Sequence, residues 1–357
     1  VSSLALDGLP VPHPLDFDWR FTGEAVERIL AEATLLSRHR GAVGFVGAPS
    51  VVLQASRTWT GGGVVAFDIS ARVMASLGQL GERVTPIRRD FLIDKPPRLQ
   101  LDVVVTDPPW YFDELCSALW FCHGVCRAGG FVLASIPPLG TRPGIAEERA
   151  RLAEFSSRVG LHLVRVEAGE IPYRSPPFER NALRVAGVAG APGDWRRGDL
   201  AIFAKRGPAR RARPAASRSS DGEWCDVSFS AARVRVRREP DGGFSDPRLS
   251  PIIEGDVLPS VSRRDPRREA ARVWTSGNRV FACRGSGIFL VMARALASGH
   301  ASRERVEEHL GRRLTPVEAE MTTEAAMQIT RLVLAEEREL WAYSVGTRES
   351  RSHVFAS

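Results

Sequence analysis

The sequence predicts an α/β fold in which a mostly parallel sheet is covered by helices on both faces. Short apolar runs alternate with stretches of helical periodicity, and the runs are apolar throughout rather than at every second position. Such strands are buried on both faces, as in parallel sheets. The predicted strands are residues 42–46, 64–67, 84–87, 102–105, 131–136, 161–166, 183–188 and 200–204. No helix fits between the last two, so we expect them to form an antiparallel pair at the end of the sheet.

Helices are predicted between these strands and ahead of them. The intervening segments with a helical pattern are 50–58, 71–80, 112–127 and 145–159. We interpret residues 1–40 as an N-terminal helical extension, in which Thr22 is suited to be the N-cap. Side chains that recur every three or four positions share one side of a helix. The apolar face predicted in this way consists of Ala25, Ile29, Leu30, Ala33 and Leu36.

Composition changes after the sheet region, which we place at residues 41–205. Residues 206–220 hold five arginines and no acidic residue, so they cannot build a core. We interpret them as a basic linker, with an arm that contacts phosphate groups as the alternative. Residues 221–357 begin with an alternating strand pattern and end mostly helical, which predicts a smaller α+β C-terminal domain. We expect that domain to select the substrate or to mediate homo-oligomerisation.

The best-defined element of the C-terminal domain is a long helix. It begins at Thr315, with Pro316 at its first position and Glu318 placed to complete a capping box. We predict that it ends near Tyr343. The residues expected on its buried face are Met321, Ala325, Ile329, Leu332 and Leu340.

Charge and cysteine content restrict the partners of this protein. A formal net charge of +7 favours an anionic partner such as DNA or RNA, a nucleotide or an acidic protein. Five irregularly spaced cysteines do not make a disulfide framework. Cys116, Cys122 and Cys126 fall on a predicted apolar helix, so we expect packing thiols and no metal site. No apolar run approaches the roughly 20 residues that cross a bilayer and no leader pattern is visible, so we expect a cytoplasmic protein without a membrane partner.

Acidic residues follow several of the predicted strands. Asp68 ends the second strand roughly 20 residues after Gly47, and an acid at that spacing can bind both ribose hydroxyls of a nucleoside cofactor. Asp90 follows the third strand and could accept the amino group of an adenine ring. A helix cap for Asp68 and a turn for Asp90 are the alternatives. The neighbouring residues that we also expect to contact the cofactor are Val46, Ala48, Ile69 and Phe91.

The fourth strand leads into the motif Asp107, Pro108, Pro109 and Trp110. Two prolines remove two backbone donors and hold the chain extended, so main-chain carbonyls can point into a cleft. The carboxylate of Asp107 and these carbonyls could hold an amine with its lone pair toward an activated methyl group. We predict that the four residues form the catalytic centre, with a plain turn as the alternative.

Four features carry a resemblance to a known family, namely Gly47, Asp68, Asp90 and the D-P-P-W motif. Together they resemble the class I S-adenosylmethionine-dependent amino-methyltransferases, which methylate exocyclic nitrogens of adenine or cytosine and carry [DNS]-P-P-[YFW]. The resemblance covers about residues 40–205 and implies a Rossmann-like sheet with S-adenosyl-L-methionine as cofactor, bound in part by Asp107. It also implies that Asp107 and the Pro108 carbonyl contact the target amine and that Trp110 stacks on the base.

The first loop departs from that family. The family has G-x-G or similar, whereas this chain has Gly47 alone, and Pro49 removes a donor. The layout also resembles the branched-chain polyamine synthases, aminopropyltransferases that use decarboxylated S-adenosylmethionine and share a D-P-P motif. Their first loop is acidic and suits a polyamine, whereas here it is uncharged. A third interpretation is an inactive methyltransferase fold that serves as a binding module.

Two proline-rich loops, residues 137–144 and 170–181, are expected at the substrate edge. The substrate-binding residues that we predict are Trp110, Tyr111, Tyr173, Arg174 and Phe178, with loop packing as the alternative for the last three. Four residues just ahead of the fold could close over the cofactor, namely Asp16, Asp18, Trp19 and Arg20. His123 and His162 are expected to be structural. The sequence thus predicts an enzyme that transfers a methyl group from S-adenosylmethionine to an amino group, with a nucleic-acid base as the expected acceptor.

Overall fold

The computed structural model describes residues 8–188, 190–215, 224–230, 232–238, 246–299 and 302–352, with the backbone alone over 340–352. Its first part is built on an eight-stranded sheet. The strands are β1 (Arg20–Phe21), β2 (Val43–Val46), β3 (Val64–Asp68), β4 (Val84–Arg88), β5 (Leu101–Thr106), β6 (Cys126–Ile136), β7 (Leu161–Arg174) and β8 (Arg197–Lys205). The helices are α1 (Gly23–Leu36), α2 (Pro49–Thr58), α3 (Ala71–Gly78), α4 (Phe112–Val125), α5 (Ile145–Arg158) and α6 (Pro177–Val185).

The sheet is parallel in its centre and antiparallel at one end. Its strand order is β1-β7-β8-β6-β5-β2-β3-β4. The neighbouring strands from β6 to β4 pair in parallel, whereas β8 runs antiparallel to β6 and β7, and β1 runs antiparallel to β7. The predicted α/β fold with a mostly parallel sheet is therefore confirmed.

Helices cover both faces of the sheet because alternate side chains of each strand point to opposite sides. Val103 and Val105 pack in the layer that holds α1, α2 and α3, whereas Val104 packs in the layer of α4 and α5. The three cysteines expected to be packing thiols are buried in that second layer. Helix α1 begins as predicted, since Thr22 Oγ1 accepts a hydrogen bond from the N–H of Ala25.

The predicted strand at residues 183–188 is wrong. Residues Pro177–Val185 form α6, because Pro177 stands in the first helical turn, where its missing donor costs nothing, and Phe178 is buried beneath it. The antiparallel pair at the end of the sheet exists, but it joins β7 to β8. An apolar run of six residues fits a strand or a buried helix equally well, so its periodicity could not decide between them.

The basic linker packs against the α/β region as far as the structure describes it. The Arg213 guanidinium lies 5.3 Å from the centre of the Trp120 ring and donates to the carbonyl oxygens of Ile93 and Asp94. Arg211 lies 5.7 Å from the ring centre of Phe155. Residues 216–220 of the predicted linker lie outside the described residues.

The C-terminal part combines a five-stranded antiparallel sheet with helices, which agrees with the predicted α+β content. Its strands are β9 (Trp224–Ser228), β10 (Arg233–Arg237), β11 (Ser250–Pro251), β12 (Val273–Thr275) and β13 (Val280–Ala282), in the order β11-β13-β12-β10-β9. The helices are α7 (Ser286–Ala297), α8 (Arg303–Leu310) and α9 (Pro316–Ser352), with a short 3-10 helix at Pro266–Ala270. Over the ranges given above, no helix is long and apolar enough to cross a membrane.

The capping box of α9 is present. The Glu318 N–H donates to Thr315 Oγ1 at 3.3 Å, and the Thr315 N–H donates to Glu318 Oε2 at 2.9 Å. The predicted buried face is found at Ala325, Ile329 and Leu332. Met321 is half-buried, and the side chain of Leu340 lies outside the described residues. The helix continues to Ser352, past its expected end near Tyr343. Gly346 lies within this extension, and a single glycine weakens a helix without ending it.

Candidate functional site

The carboxyl ends of four parallel strands meet at one edge of the sheet. The loop residue Gly47 donates its N–H to the carbonyl of Phe67 at 2.9 Å, and the Asp107 N–H donates to the carbonyl of Val46 at 3.1 Å. On the far side, the Arg89 N–H donates to the carbonyl of Asp68 at 3.0 Å. The structure therefore brings together the loops that carry Gly47, Asp68, Asp90 and Asp107.

Gly47 adopts a left-handed conformation with a φ of +66°, and a Cβ atom there would lie 3.3 Å from the carbonyl oxygen of Asp107. This single glycine therefore permits the first loop to contact the D-P-P-W motif. Pro49 is the first residue of α2, where a backbone donor has no helical acceptor. Pro49 thus costs α2 no backbone hydrogen bond.

Asp68 is the last residue of β3 and is not the N-cap of α3. Ser70 is the N-cap of that helix, because its Oγ accepts from the N–H of Val73. Asp68 Oδ1 accepts the N–H of Ser70 at 2.7 Å. Burial raises the pKa of Asp68 to about 7, and the charges of Asp18 and Asp16 act in the same direction. An exposed apolar side chain, Ile69, follows it.

Asp90 serves as a turn residue. Its Oδ1 accepts the N–H of Leu92 at 2.9 Å, and its own N–H donates to Asp94 Oδ2 at 2.8 Å. The Asp90 side chain is buried, and the adjacent Phe91 packs against the core. The turn that we named as the alternative is therefore observed, and an adenine contact by Asp90 stays a prediction.

Asp107 is the end of a chain of hydrogen bonds. The Tyr173 hydroxyl donates to Asp107 Oδ1 at 2.5 Å and lies 2.5 Å from Ser135 Oγ. The Trp110 indole N–H donates to that same Ser135 oxygen at 3.1 Å. Sequence reasoning missed Ser135, although one hydroxyl inside the apolar run of residues 131–136 was a usable signal.

The pKa of Asp107 is raised to about 7 because the carboxyl group is buried. The hydroxyls of Tyr173 and Ser135 oppose this rise, the charge of Asp18 adds to it, and the charge of Arg196 opposes it. Burial and the charge of Asp107 also raise the pKa of Tyr173 well above its usual value. Tyr173 therefore remains a hydrogen-bond donor at neutral pH, when Asp107 is about half ionised.

A cavity of about 500 Å³ opens beside Asp107. Its aromatic lining consists of Phe17, Trp19, Trp110, Tyr111, Tyr173 and Trp195. Its charged lining consists of Asp107, Arg142, Glu179, Arg196 and Arg264. A few polar groups among flat apolar walls are typical of ligand pockets.

Arg196 is the central cation of this cavity. Its guanidinium donates to Glu179 Oε1 at 2.5 and 3.0 Å. It also lies 4.9 Å from the ring centre of Trp19, 5.2 Å from that of Trp195 and 5.7 Å from that of Trp110. The planar guanidinium of Arg196 can interact with the faces of all three rings. The sequence offered no motif for Arg196.

The residues that we predicted to bind substrate separate into two groups. Trp110, Tyr111 and Tyr173 line the cavity beside Asp107. Phe178 is fully buried and packs edge-on against Trp19, 5.1 Å between ring centres, so it supports the wall. Arg174 lines a second, smaller cavity of about 250 Å³ between α1 and α2. Arg174 and Phe178 therefore do not line the cavity beside Asp107.

The segment ahead of the sheet lies between the site and the C-terminal part. Phe17 and Trp19 line the cavity, while Asp16 forms ion pairs with Arg233 and Arg235 of β10. His13 lies 3.2 Å from the carbonyl oxygen of Trp274. Of the residues expected to close over the cofactor (Asp16, Asp18, Trp19 and Arg20), Trp19 lines the cavity beside Asp107, and their contact with a cofactor stays a prediction.

The sheet order, parallel in its centre and antiparallel at one end, defines a Rossmann-like α/β fold. No protein-family model and no curated protein matches the sequence. Among solved structures, the branched-chain polyamine synthase from Thermus thermophilus, in complex with N4-aminopropylspermidine and 5'-methylthioadenosine, is similar to it. The TM-score is 0.50 at 15% identity, over 59% of this chain and 64% of that one, so the chain spans less than two thirds of the synthase.

Two further solved structures are similar at lower TM-scores. A TehB-like S-adenosylmethionine-dependent methyltransferase from Corynebacterium glutamicum is 16% identical, with a TM-score of 0.36 over 51% of this chain and 88% of that one. The fibrillarin pre-rRNA processing protein of Methanococcus jannaschii is 14% identical, with a TM-score of 0.33 over 47% and 68%. At such identities the likeness concerns the fold alone.

Proposed function

We propose that this protein is an S-adenosylmethionine-dependent N-methyltransferase and that its acceptor is the amino group of a nucleic-acid base. The observation that carries the proposal is the position of Asp107. It stands where the sheet-edge loops of Gly47 and Asp68 meet an aromatic cavity, with one carboxyl oxygen held by Tyr173. A donor on one side and an amine on the other would meet at this carboxyl group.

The residues at the sheet edge fit the proposed cofactor. The left-handed turn at Gly47 brings the first loop close to Asp107, and Asp68 is suited to the ribose hydroxyls. Ile69, with 51% of its surface exposed, offers an apolar face to an adenine ring. When bound, S-adenosylmethionine supplies an electrophilic methyl group and leaves as a neutral thioether.

The acceptor side fits a planar amine. Trp110 and Tyr111 can stack on a base, since aromatic rings bind the faces of all four bases. Asp107 and the Pro108 carbonyl would accept the N–H groups of the amine and direct its lone pair toward the methyl carbon. As the new C–N bond forms, the amine proton passes to Asp107, whose pKa of about 7 suits that task.

Arginines at the cavity support a polyanionic acceptor. Arg142 and Arg264 contribute to the lining, and the Arg264 guanidinium lies 5.2 Å from the ring centre of Tyr111. The formal net charge of +7 adds a field of the same sign. Cationic side chains around a base-sized cavity would hold the phosphates that flank a target base.

Aminopropyl transfer from decarboxylated S-adenosylmethionine to a polyamine is a second candidate, for one specific reason. Asp16 and Asp18 lie close enough to Asp68 to raise its pKa, and Asp18 does the same to Asp107. Carboxylates gathered in one crevice would attract a polycation. The similarity to the polyamine synthase fold agrees with this candidate, whereas the uncharged first loop favours methyl transfer.

Incubation with two labelled donors separates the candidates. The protein is given S-adenosylmethionine labelled in the methyl group with DNA, RNA or protein pools, and decarboxylated S-adenosylmethionine labelled in the aminopropyl group with spermidine. We expect methyl label in DNA or RNA. Label in protein alone, or in spermidine alone, would reject the nucleic-acid proposal. If no pool is labelled and calorimetry detects no heat with S-adenosylmethionine or its demethylated product, the chain is an inactive binding module.

A further inference from the structure

When Asp107 is ionised, the hydrogen bonds behind it run in one direction. An indole N–H donates and never accepts, so Trp110 must donate to Ser135 Oγ. Tyr173 has a single hydroxyl proton, which it donates in a hydrogen bond to the Asp107 carboxylate. The proton shared by the two hydroxyls therefore belongs to Ser135, which donates to Tyr173. Every donor in the series Trp110, Ser135, Tyr173 points toward Asp107.

From this geometry we propose that Tyr173, Ser135 and the indole N–H of Trp110 are positioning residues, which fix Asp107 so that Oδ2 alone accepts the N–H and the proton of the acceptor amine. The inference rests on the proposed amine transfer for the identity of the acceptor. The series cannot carry the proton away, because it ends in an indole N–H that has no acceptor function. The proton therefore leaves Oδ2 through the cavity.

The three positioning residues stand on rigid neighbours. Tyr173, which is 2% exposed, is held between the rings of Phe21 at 4.6 Å and Trp110 at 5.6 Å. Ser135 lies within β6 and pairs in register with Leu200 of β8. Side chains locked by packing keep a reactive group in one orientation better than a flexible loop does.

Gly198 of β8 leaves the space that the side chains of Trp110 and Ser135 occupy. A Cβ atom at Gly198 would lie 3.0 Å from Trp110 Cζ2 and 3.1 Å from Ser135 Oγ. Both distances are shorter than ordinary van der Waals contact. Glycine at this position of β8 therefore lets the Trp110 edge reach Ser135, and a larger residue would displace one of them.

The hydrogen bond to Ser135 gives Trp110 a second role in addition to base stacking. Its indole edge is tied to Ser135, which sets the orientation of the ring over the cavity. A phenyl ring could stack on a base equally well but could not make this hydrogen bond. Tryptophan at the end of the motif therefore has a function that phenylalanine could not provide.

The test measures the ionisation of Asp107 without any substrate. Protein labelled with ¹³C in the aspartate carboxyl groups is titrated by NMR, and the Asp107 signal is identified by its loss in Asp107→Asn. Because a hydrogen bond to the carboxylate favours its ionised form, removing the donor in Tyr173→Phe should raise the pKa of Asp107 by about one unit or more. Ser135→Ala and Trp110→Phe should raise it by successively smaller amounts.

Tyr111→Phe is the matched control, because it also removes a single tyrosine hydroxyl. The Tyr111 hydroxyl accepts the N–H of Arg263 and takes no part in the hydrogen bonds behind Asp107. That variant should leave the pKa of Asp107 unchanged. An unchanged Asp107 pKa in Tyr173→Phe, or a shift in Tyr111→Phe as large as in Tyr173→Phe, would overturn the inference. If Tyr173→Phe does not fold, Ser135→Ala decides, since it removes one oxygen atom only. The titration is independent of transfer, so a shifted pKa in a protein that methylates nothing would reject the proposed function alone.

Discussion

Asp107 in the α/β region and Glu336 in the C-terminal part are carboxyl groups whose pKa is raised to about 7 by removal from water, yet Asp107 is half-buried and Glu336 is fully buried. Glu336 is 1% exposed, and its oxygens accept from Thr275 Oγ1 at 2.6 Å and from Ser276 Oγ at 3.2 Å. Asp107 has a hydroxyl partner on one oxygen and borders a cavity of about 500 Å³. A raised pKa therefore marks burial, and access to a cavity decides whether the group can react.

The largest expected effect is a loss of transfer on replacement of Asp107, the acid that borders the cavity. Asp107→Ala should reduce transfer by about a hundredfold or more, because the amine loses both its orientation and its proton acceptor. The affinity for S-adenosylmethionine, measured by calorimetry, should change by less than about threefold, because the acceptor side of the site is affected. Asp113→Ala is a suitable control, since that acid is exposed at the start of α4. A fully active Asp107→Ala variant would show that the acceptor site lies elsewhere.

Replacing Glu336, the enclosed acid, should have the opposite effect, a loss of stability without a loss of transfer. Glu336→Ala leaves the hydroxyls of Thr275 and Ser276 without their partner and removes a charge beside Arg279. We expect the free energy of unfolding, measured with urea, to fall by about 3 kcal/mol. Transfer per folded molecule should stay the same. Glu320→Ala, an exposed position of the same helix, should change neither quantity, and a loss of transfer without a loss of stability in Glu336→Ala would contradict this structural role.

The smallest effect is a difference in pH dependence. The pKa of Glu336 is raised from its usual 4.5 to about 7, so the folded state holds the proton more tightly than the unfolded state. The stabilisation from this group is complete below about pH 4.5 and is lost as the pH rises to about 7. Urea unfolding between pH 5 and 7 should therefore show a decline in stability that is weaker in Glu336→Gln, by about 1 kcal/mol per pH unit. Equal declines in both proteins would contradict the raised pKa.

Much of the site edge could be predicted because it follows from local patterns. Asp68 and Asp107 were identified because each stands directly after an apolar strand, and parallel strands end at the same edge. The partners of these acids could not be identified in this way. Ser135, Tyr173 and Arg196 come from three other segments, and their distances to Asp107 depend on how β6, β7 and β8 pair.

The sequence alone determined the α/β alternation, the capped starts of α1 and α9, and the place of the D-P-P-W motif. Each of these depends on residues a few positions apart, whose periodicity and side-chain chemistry are readable in one dimension. Tertiary structure decided that residues 183–185 end a helix, that Phe178 supports a wall, and that Glu336 is enclosed while Asp107 borders a cavity. Those outcomes depend on which distant segments pack together, and burial by distant segments has no signature in the local sequence.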